Sequence, residues 1–406
     1  MNANHTHPAP PRGFVLWLSV AQLISWGTLY YMFSLLLEHF ERDLGLTRVN
    51  AAIAFSLALL TEGLLAFIVG RLIDHGRARA VMCTGSLLAT LGFVALAYVQ
   101  NAWQLYATWV VIGAAMAGAL YQPAFSLLIR RYPDDYRRAI ITLTFLGGLA
   151  STVFLPLGAW LISAFGWRDS VLILAALHLL ICLPIHAYWL RGEPPAPIHT
   201  PDAPRARLRD FTRHFPFWGL AAFFMLFLAI TSAIGAHLIS ILREQALSET
   251  WVVAIPASIG ALQVAGRLVL YYTEKRLDVH WANRWIPALL PAALTVLVVA
   301  ATSPWLALVF ALLYGMANGM LTIVRATAMA TYVSRDHAAS LNGMLGIPNA
   351  VARAAAPSLL AAAWTATGNY QLGLAALCAL SLFAVASFWL AQRHALATEK
   401  AQAIRA

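Results

Sequence analysis

Residues 215–242 read FPFWGLAAFFMLFLAITSAIGAHLISIL, a stretch without one formally charged side chain. A helical residue rises about 1.5 Å and the hydrocarbon core of a bilayer is about 30 Å thick, so roughly 20 apolar residues cross it. In lipid every backbone N–H and C=O must be paired within the protein, which leaves helices or closed barrels. This stretch is too long and too evenly apolar for a barrel strand. Eleven others resemble it, near 14–38, 48–70, 79–99, 103–129, 139–164, 169–190, 249–272, 283–301, 304–331, 340–364 and 369–392. We therefore expect an all-α membrane protein with 12 transmembrane helices. The composition agrees: 61% hydrophobic and 11% charged, against about 25% charged in soluble domains. Met1 to Pro11 is polar and lacks the basic flank, short apolar run and small-residue cleavage site of a signal peptide, so the first span is expected to be retained.

The net charge of +10 follows topology. With the N-terminus inside, 20 of the 27 basic residues fall in inner segments, among them Arg71, Arg77, Arg79, Arg130, Arg131, Arg137, Arg138, Arg205 and Lys275. Only Arg42, Arg48, Arg168 and Arg243 fall in outer loops, and Arg267, Arg325 and Arg353 lie within spans. Basic residues concentrate on the cytoplasmic side of membrane proteins, so both termini are expected in the cytoplasm, the chain in the inner (plasma) membrane, and no nucleic-acid partner is expected. Cys83, Cys182 and Cys378 are far apart, inside spans and without metal-ligand spacing; they read as small buried hydrophobes. No GxxxxGK[ST] loop occurs, so uphill movement of a solute would need an ion gradient or exchange. No metal or cofactor is expected, and no nucleophile–base constellation suggests an enzyme.

The longest connection, rich in Pro and Arg, spans 191–214. It divides the chain into six-helix halves at 1–190 and 215–406. An offset of about 200 residues supports a duplication: Met116-Ala117 recurs as Met316-Ala317, Tyr132 as Tyr332, Ala139 as Ala339 and Pro156 as Pro357. Two related halves around a central site make a transporter architecture. After span two comes Gly70-Arg-Leu-Ile-Asp74-His-Gly76-Arg77-Ala-Arg79, which resembles the signature of the major facilitator superfamily. It departs from that signature by one residue, with only His75 between Asp74 and Gly76. In the family this loop clamps the two halves on the cytoplasmic side, and the resemblance gives that role to Asp74, Arg77 and Arg79. Phe165-Gly-Trp-Arg168, Asp43-Leu-Gly45…Arg48 and Arg267 deep in span eight resemble the monocarboxylate and oxalate/formate branch. The antiporter signature of span five is only approximated by Leu155-Pro156-Leu157-Gly158.

A charge at mid-bilayer is costly, so each one needs a partner or a purpose. Glu62, Arg267, Arg325 and Arg353 are the four. Three cations against one anion leave a positive surplus that an anionic solute would neutralise. In the carboxylate branch the Arg of span eight binds substrate, a role the resemblance gives to Arg267; a snorkelling Arg, or one paired with Glu274, is the alternative. Arg325, on span ten, is open to the same two readings. Arg353 is expected to pair with Glu62, because spans two and eleven meet in the superfamily plan; Glu62 is either half of that static pair or a proton-coupling carboxyl. Tyr30, Tyr121 and Tyr314, with Trp26 and Tyr31, stand where a cavity would lie. His178 and His186 fall on span six, an outer, lipid-facing helix in that plan, and are expected in structural or interfacial positions; His237 on span seven is a candidate for an external gate. The expectation is a monomeric secondary transporter for a small organic anion, most simply a carboxylate, driven by a proton or a counter-substrate. A drug or hydrophobic-metabolite exporter and a transporter-like membrane sensor are the rivals.

Overall fold

The computed structural model describes residues 13–132, 136–191, 211–273, 278–299, 303–334, 341–342 and 344–405. Most of the 191–214 connection, Glu274, Lys275 and the side chain of Asp74 lie outside the described set. Ten stretches are long and apolar enough to cross a membrane. One of them, Ala139–Trp189, has 51 residues, about twice the length a bilayer needs. It breaks at Gly166, whose φ of 77° and ψ of 163° are not helical, and so forms two passes. Gly346–Thr367 is a further helix of 22 residues.

We label the long helical segments in chain order: α1 Phe14–Leu44, α2 Arg48–Asp74, α3 Ala78–Ala97, and α4 Ala102–Ala119, continued after a break at Leu120 as Tyr121–Arg131. Segment α5 starts at Tyr136 and α6 ends at Trp189, with Gly166 between them. Then follow α7 Phe215–Glu244, α8 Glu249–Thr273, α9 Val279–Val299, α10 Pro304–Tyr332, α11 Gly346–Thr367 and α12 Gln371–Arg405. We call the end carrying the α1–α2 turn distal and the end carrying the α2–α3 turn proximal.

Local sequence sets the helix ends. Thr47 caps α2 through its side chain, which accepts from the Asn50 N–H, and Asn101 caps α4 in the same way from Gln104. At the proximal end of α2 the Arg77 N–H bonds Leu72 O and the Gly76 N–H bonds Ile73 O. This is a Schellman stop, and it needs a left-handed residue at Gly76, where φ is 76°. The helix stop thus fixes where the glycine falls.

The first six and last six helices meet along two seams. Helix α2 packs on α11 and α5 packs on α8. In the first seam the Ser56 and Ser358 hydroxyls are 2.8 Å apart. In the second, Thr152 Oγ1 donates to Ala257 O at 2.6 Å and accepts from the Ala261 N–H at 3.0 Å. At Gly63 an added Cβ would lie 2.2 Å from Ala350 Cβ, an atom rigidly tied to its backbone. Gly63→Ala is therefore expected to force α2 and α11 apart and to cost about 1–3 kcal/mol, as overpacking does, read as a lower melting temperature of the purified protein.

The branch-like turns touch one another at the distal end. Trp167 Nε1 donates to Asp43 Oδ2 at 2.6 Å, and Arg168 Nη1 donates to Ala97 O and Val99 O at the end of α3. One structural role, tying α1, α3 and α6 together, explains both. His178 and His186 take a structural placement on this outer helix: both are fully buried. His178 Nε2 lies 2.7 Å from Thr28 Oγ1 and His186 Nδ1 lies 2.9 Å from Ser86 Oγ, because a polar ring on a helix packed against α1 and α3 is more cheaply paired with a hydroxyl than left in hydrocarbon.

Candidate functional site

Midway along α1 the helix widens into a π-turn over Trp26–Tyr31, the kind of local irregularity common at functional sites. It presents Trp26 and, about one turn on, Tyr30 and Tyr31. Trp26 lies 5.4 Å from Tyr30 and 4.8 Å from Tyr121, ring centre to ring centre, and Tyr30 lies 5.2 Å from Tyr31. Tyr314, from α10, is within electrostatic reach of Tyr30 and Tyr31 and stacks on Phe310 at 5.2 Å. The structure thus joins Tyr30 and Tyr121 in one aromatic cluster through Trp26, with Tyr314 close by. Glycines make room for it: a Cβ on Gly147 would meet Tyr121 Oη at 2.4 Å, and one on Gly235 would meet Tyr30 Oη at 3.2 Å. The Trp26 indole N–H is buried without a hydrogen-bond partner among the described residues, a donor left available to a bound solute.

The intramembrane charges surround this cluster. Arg353 Nη1 donates to Glu62 Oε2 at 2.9 Å, both side chains largely buried, and the Arg353 guanidinium lies 5.5 Å from the Tyr30 ring centre. The Arg353 carbonyl accepts from Ser232 of α7 at 2.8 Å. The pair therefore bridges α2 and α11 at the edge of the aromatic cluster. Arg267 sits nearer the proximal end, where its Nη1 donates to Thr144 O of α5 at 2.9 Å, and Tyr31 and Tyr121 lie within its electrostatic reach. Among the described residues no carboxylate answers its charge. The Glu274 alternative for Arg267 lies outside the described residues. Arg325, half-buried on α10, lies close enough to Arg353 to feel its charge, and no ion pair to it is found among the described residues. Gln263, buried on α8, lies close to Tyr31. Sequence reasoning passed over Gln263 because one amide in a span gives no pattern.

Of the loop residues, Gly70 has open space around it, Gly76 takes the turn described above and Arg77 opens α3. Arg79 makes interactions of its own.

The distal end carries an ionic layer that sequence reasoning also missed. Glu38 of α1 takes hydrogen bonds from Ser240 at 2.7 Å and from Arg243, and Arg243 is bidentate to Glu249 at 2.9 Å. Arg48 is bidentate to Glu41 at 2.8 and 3.1 Å, donates to Tyr370 Oη at 3.1 Å and stacks 4.1 Å over Trp364. Glu244 accepts from Trp364 Nε1 and from the Tyr370 N–H, both at 2.8 Å. His237 is fully buried beneath this layer. The available signal was a set of distal arginines, each with glutamates within a few residues. The halves are thus clamped distally, and the bond from Arg267 to Thr144 O joins them nearer the proximal end.

A family model described as "Major Facilitator Superfamily" matches residues 18–357. Monocarboxylate transporter 11 of Homo sapiens is 32% identical over 209 residues, 48% of this chain and 43% of that protein. Multidrug resistance protein MdtH of Aeromonas hydrophila is 29% identical over 163 residues, 38% of this chain and 40% of that protein. These matches span less than half the length of either relative. Among solved structures, a mutant of the nucleoside transporter NupG superposes with a TM-score of 0.72 at 14% identity, covering 93% of this chain and 99% of that one. A bacterial homologue of the lysosomal transporter Spinster, inward-facing and unoccupied, superposes with a TM-score of 0.69 at 16% identity, covering 94% and 97%. At these identities the superpositions establish the fold alone.

Proposed function

The chain belongs to the Major Facilitator Superfamily, and from that premise we propose that it moves a small organic anion, most simply a carboxylate, across the inner membrane. The observation that carries this reading is the surplus of positive charge beside the aromatic cluster: Glu62 answers Arg353, and Arg267 and Arg325 have no carboxylate among the described residues. A guanidinium in a low-dielectric site binds a carboxylate through two parallel hydrogen bonds, stronger and more directional than neutral ones. Arg267 and Arg325 would hold the carboxylate, Trp26 Nε1 would donate to it, and Tyr30, Tyr121 and Tyr314 would cover the rest of the solute. The relatives named as monocarboxylate transporters support the same class.

Residues 1–190 and 215–406 would then rock about the site, joined by 191–214, with the distal end outside and both termini in the cytoplasm. In this scheme the Asp74, Arg77 and Arg79 loop clamps the proximal end in the opposite state. The Glu62–Arg353 pair lies on the seam that must shear. Proton uptake at Glu62 would free Arg353 and lower the cost of that motion, which makes the pair a coupling site for proton symport; exchange against a counter-substrate would use the arginines alone. Export of drugs or hydrophobic metabolites is the second reading, favoured by the aromatic cluster and by the likeness to MdtH.

A melting screen of the purified protein against small carboxylates, neutral metabolites and cationic drugs separates the two. A carboxylate is expected to raise the melting temperature of the wild type and not of Arg267→Gln, and to compete for uptake into proteoliposomes. Equal stabilisation of both proteins by a cationic or neutral compound would overturn the anion reading.

A further inference from the structure

His237 lies in the distal third of α7 with both ring nitrogens engaged. Nε2 faces Pro357 O at 3.0 Å, and Nδ1 faces Tyr370 Oη at 2.8 Å. A carbonyl can only accept, so Nε2 carries the hydrogen and Nδ1 must accept from the Tyr370 hydroxyl. That hydroxyl in turn accepts from Arg48 Nη1 at 3.1 Å. The result is one directed chain from Arg48 of α2, in the first half, through Tyr370 to His237 and α11 in the second. Burial pushes the Tyr370 phenol up from its ordinary value, more than the neighbouring Arg48 draws it down, so it remains a donor.

We propose that His237 is a proton-binding site that latches the distal end only as the neutral imidazole, so that acid favours the distal-open form. A proton on Nδ1 reverses the sense of the chain. The Tyr370 oxygen would then face two donors, its own hydrogen would lose its acceptor, and an imidazolium would stand one hydroxyl away from the Arg48 guanidinium. The ring has no exposed surface, so the proton enters from water as the seam parts and returns to water as it closes. A proton that binds the open form more tightly than the closed one shifts the equilibrium towards open by the ratio of the two affinities.

The charged and titratable groups around the latch come from several helices. Helix α2 brings Arg48, α1 brings Glu38, His39, Glu41 and Arg42, α7 itself brings Arg243 and Glu244, α8 brings Glu249, and Tyr370 precedes α12; Arg353 and Glu62 lie deeper on the same seam. Glu41 neutralises Arg48 but does not touch the imidazole. His39 is a second histidine at the distal end, and it bonds Arg42 at 2.8 Å on the first half alone. It therefore serves as the control. The proposal rests on the alternating-access reading and is independent of which solute is carried.

The test measures distances between spin labels at Gln100→Cys, in the α3–α4 turn, and Gln371→Cys, at the start of α12, both exposed at the distal end. The full chain, with Cys83, Cys182 and Cys378 replaced, is placed in lipid nanodiscs and taken from about pH 8 to about pH 5, a range that brackets ordinary histidine titration. The long-distance population of the wild type is expected to grow several-fold on acidification. His237→Gln is expected to be flat with pH, His39→Gln to follow the wild type, and Tyr370→Phe to be more open already at the alkaline end. A His237→Gln protein with the wild-type acid response overturns the latch, as does a wild type whose distances ignore pH. Should His237→Gln not fold, Tyr370→Phe decides: an open fraction equal to wild type at both ends of the range overturns the proposal. No substrate is needed, so a failed carboxylate screen and a failed latch are separate results.

Discussion

Arg353→Met will lower the stability of the purified protein by about 3 kcal/mol or more, whereas Glu62→Gln combined with Arg353→Met will recover most of the loss. The expectation follows from what each change leaves behind. Arg353 and Glu62 meet at 2.9 Å with both side chains largely buried, on a seam where no other counter-ion to Glu62 is found among the described residues. Removing one member of a buried pair strands a charge that must be desolvated alone, which typically costs 3–5 kcal/mol; replacing both by neutral groups of similar volume is often close to neutral. Bilayer on the flanks of the seam sharpens the contrast, since a stranded charge there has little water to turn to. Chemical or thermal unfolding of the single and double variants in one detergent gives the comparison. A double variant no more stable than Arg353→Met would mean that packing, and not charge, carries the contact. Transport adds a second readout: if the pair opens during the cycle, the restored double variant will be stable yet no longer respond to a proton gradient.

The membrane fold was legible because long apolar runs and the bias of basic residues to one side report directly on the bilayer. Four intramembrane charges were visible for the same reason, each being an exception the bilayer does not tolerate without cause. Two things stayed hidden. The first is the partner of each cation: Arg267 reaches Thr144 O on the other half, a backbone acceptor that every residue carries and that no sequence pattern marks. The second is the distal layer. Glu38, Glu41, Arg48, Glu244 and Glu249 read as ordinary loop-end charges, and only the packing of α1 and α2 on α7 and α11 shows that they interlock across the halves. The partners of His178 and His186 were hidden in a similar way. Which side of α6 faces inward is set by the rotation of the helix, and the bonds to Thr28 and Ser86 on α1 and α3 are visible only once that rotation is known.

Arg325→Gln is expected to have opposite effects on binding and on stability, which makes it the sharper test of the anion site. Its guanidinium is half-buried on α10, close to Arg353 and without an ion pair among the described residues. In the solute-free protein this is an unanswered charge beside a like charge, so a neutral amide of similar reach should raise the melting temperature. In the loaded protein the same charge is the partner of the carboxylate, and removing a desolvated charged partner costs about 2–5 kcal/mol of binding. Since each 1.4 kcal/mol is tenfold, affinity should fall by roughly 30-fold or more. Arg267→Gln should also weaken binding but should not stabilise, because it gives up the hydrogen bond to Thr144 O that ties α8 to α5. Calorimetric titration of the carboxylate found in the screen, beside melting curves without it, measures both quantities on the same preparations. If Arg325→Gln instead destabilises the solute-free protein and leaves affinity unchanged, Arg325 is structural and the anion rests on Arg267 and Trp26 alone. A functional cation is costly to keep until its ligand arrives, and that cost is what the melting curve reads.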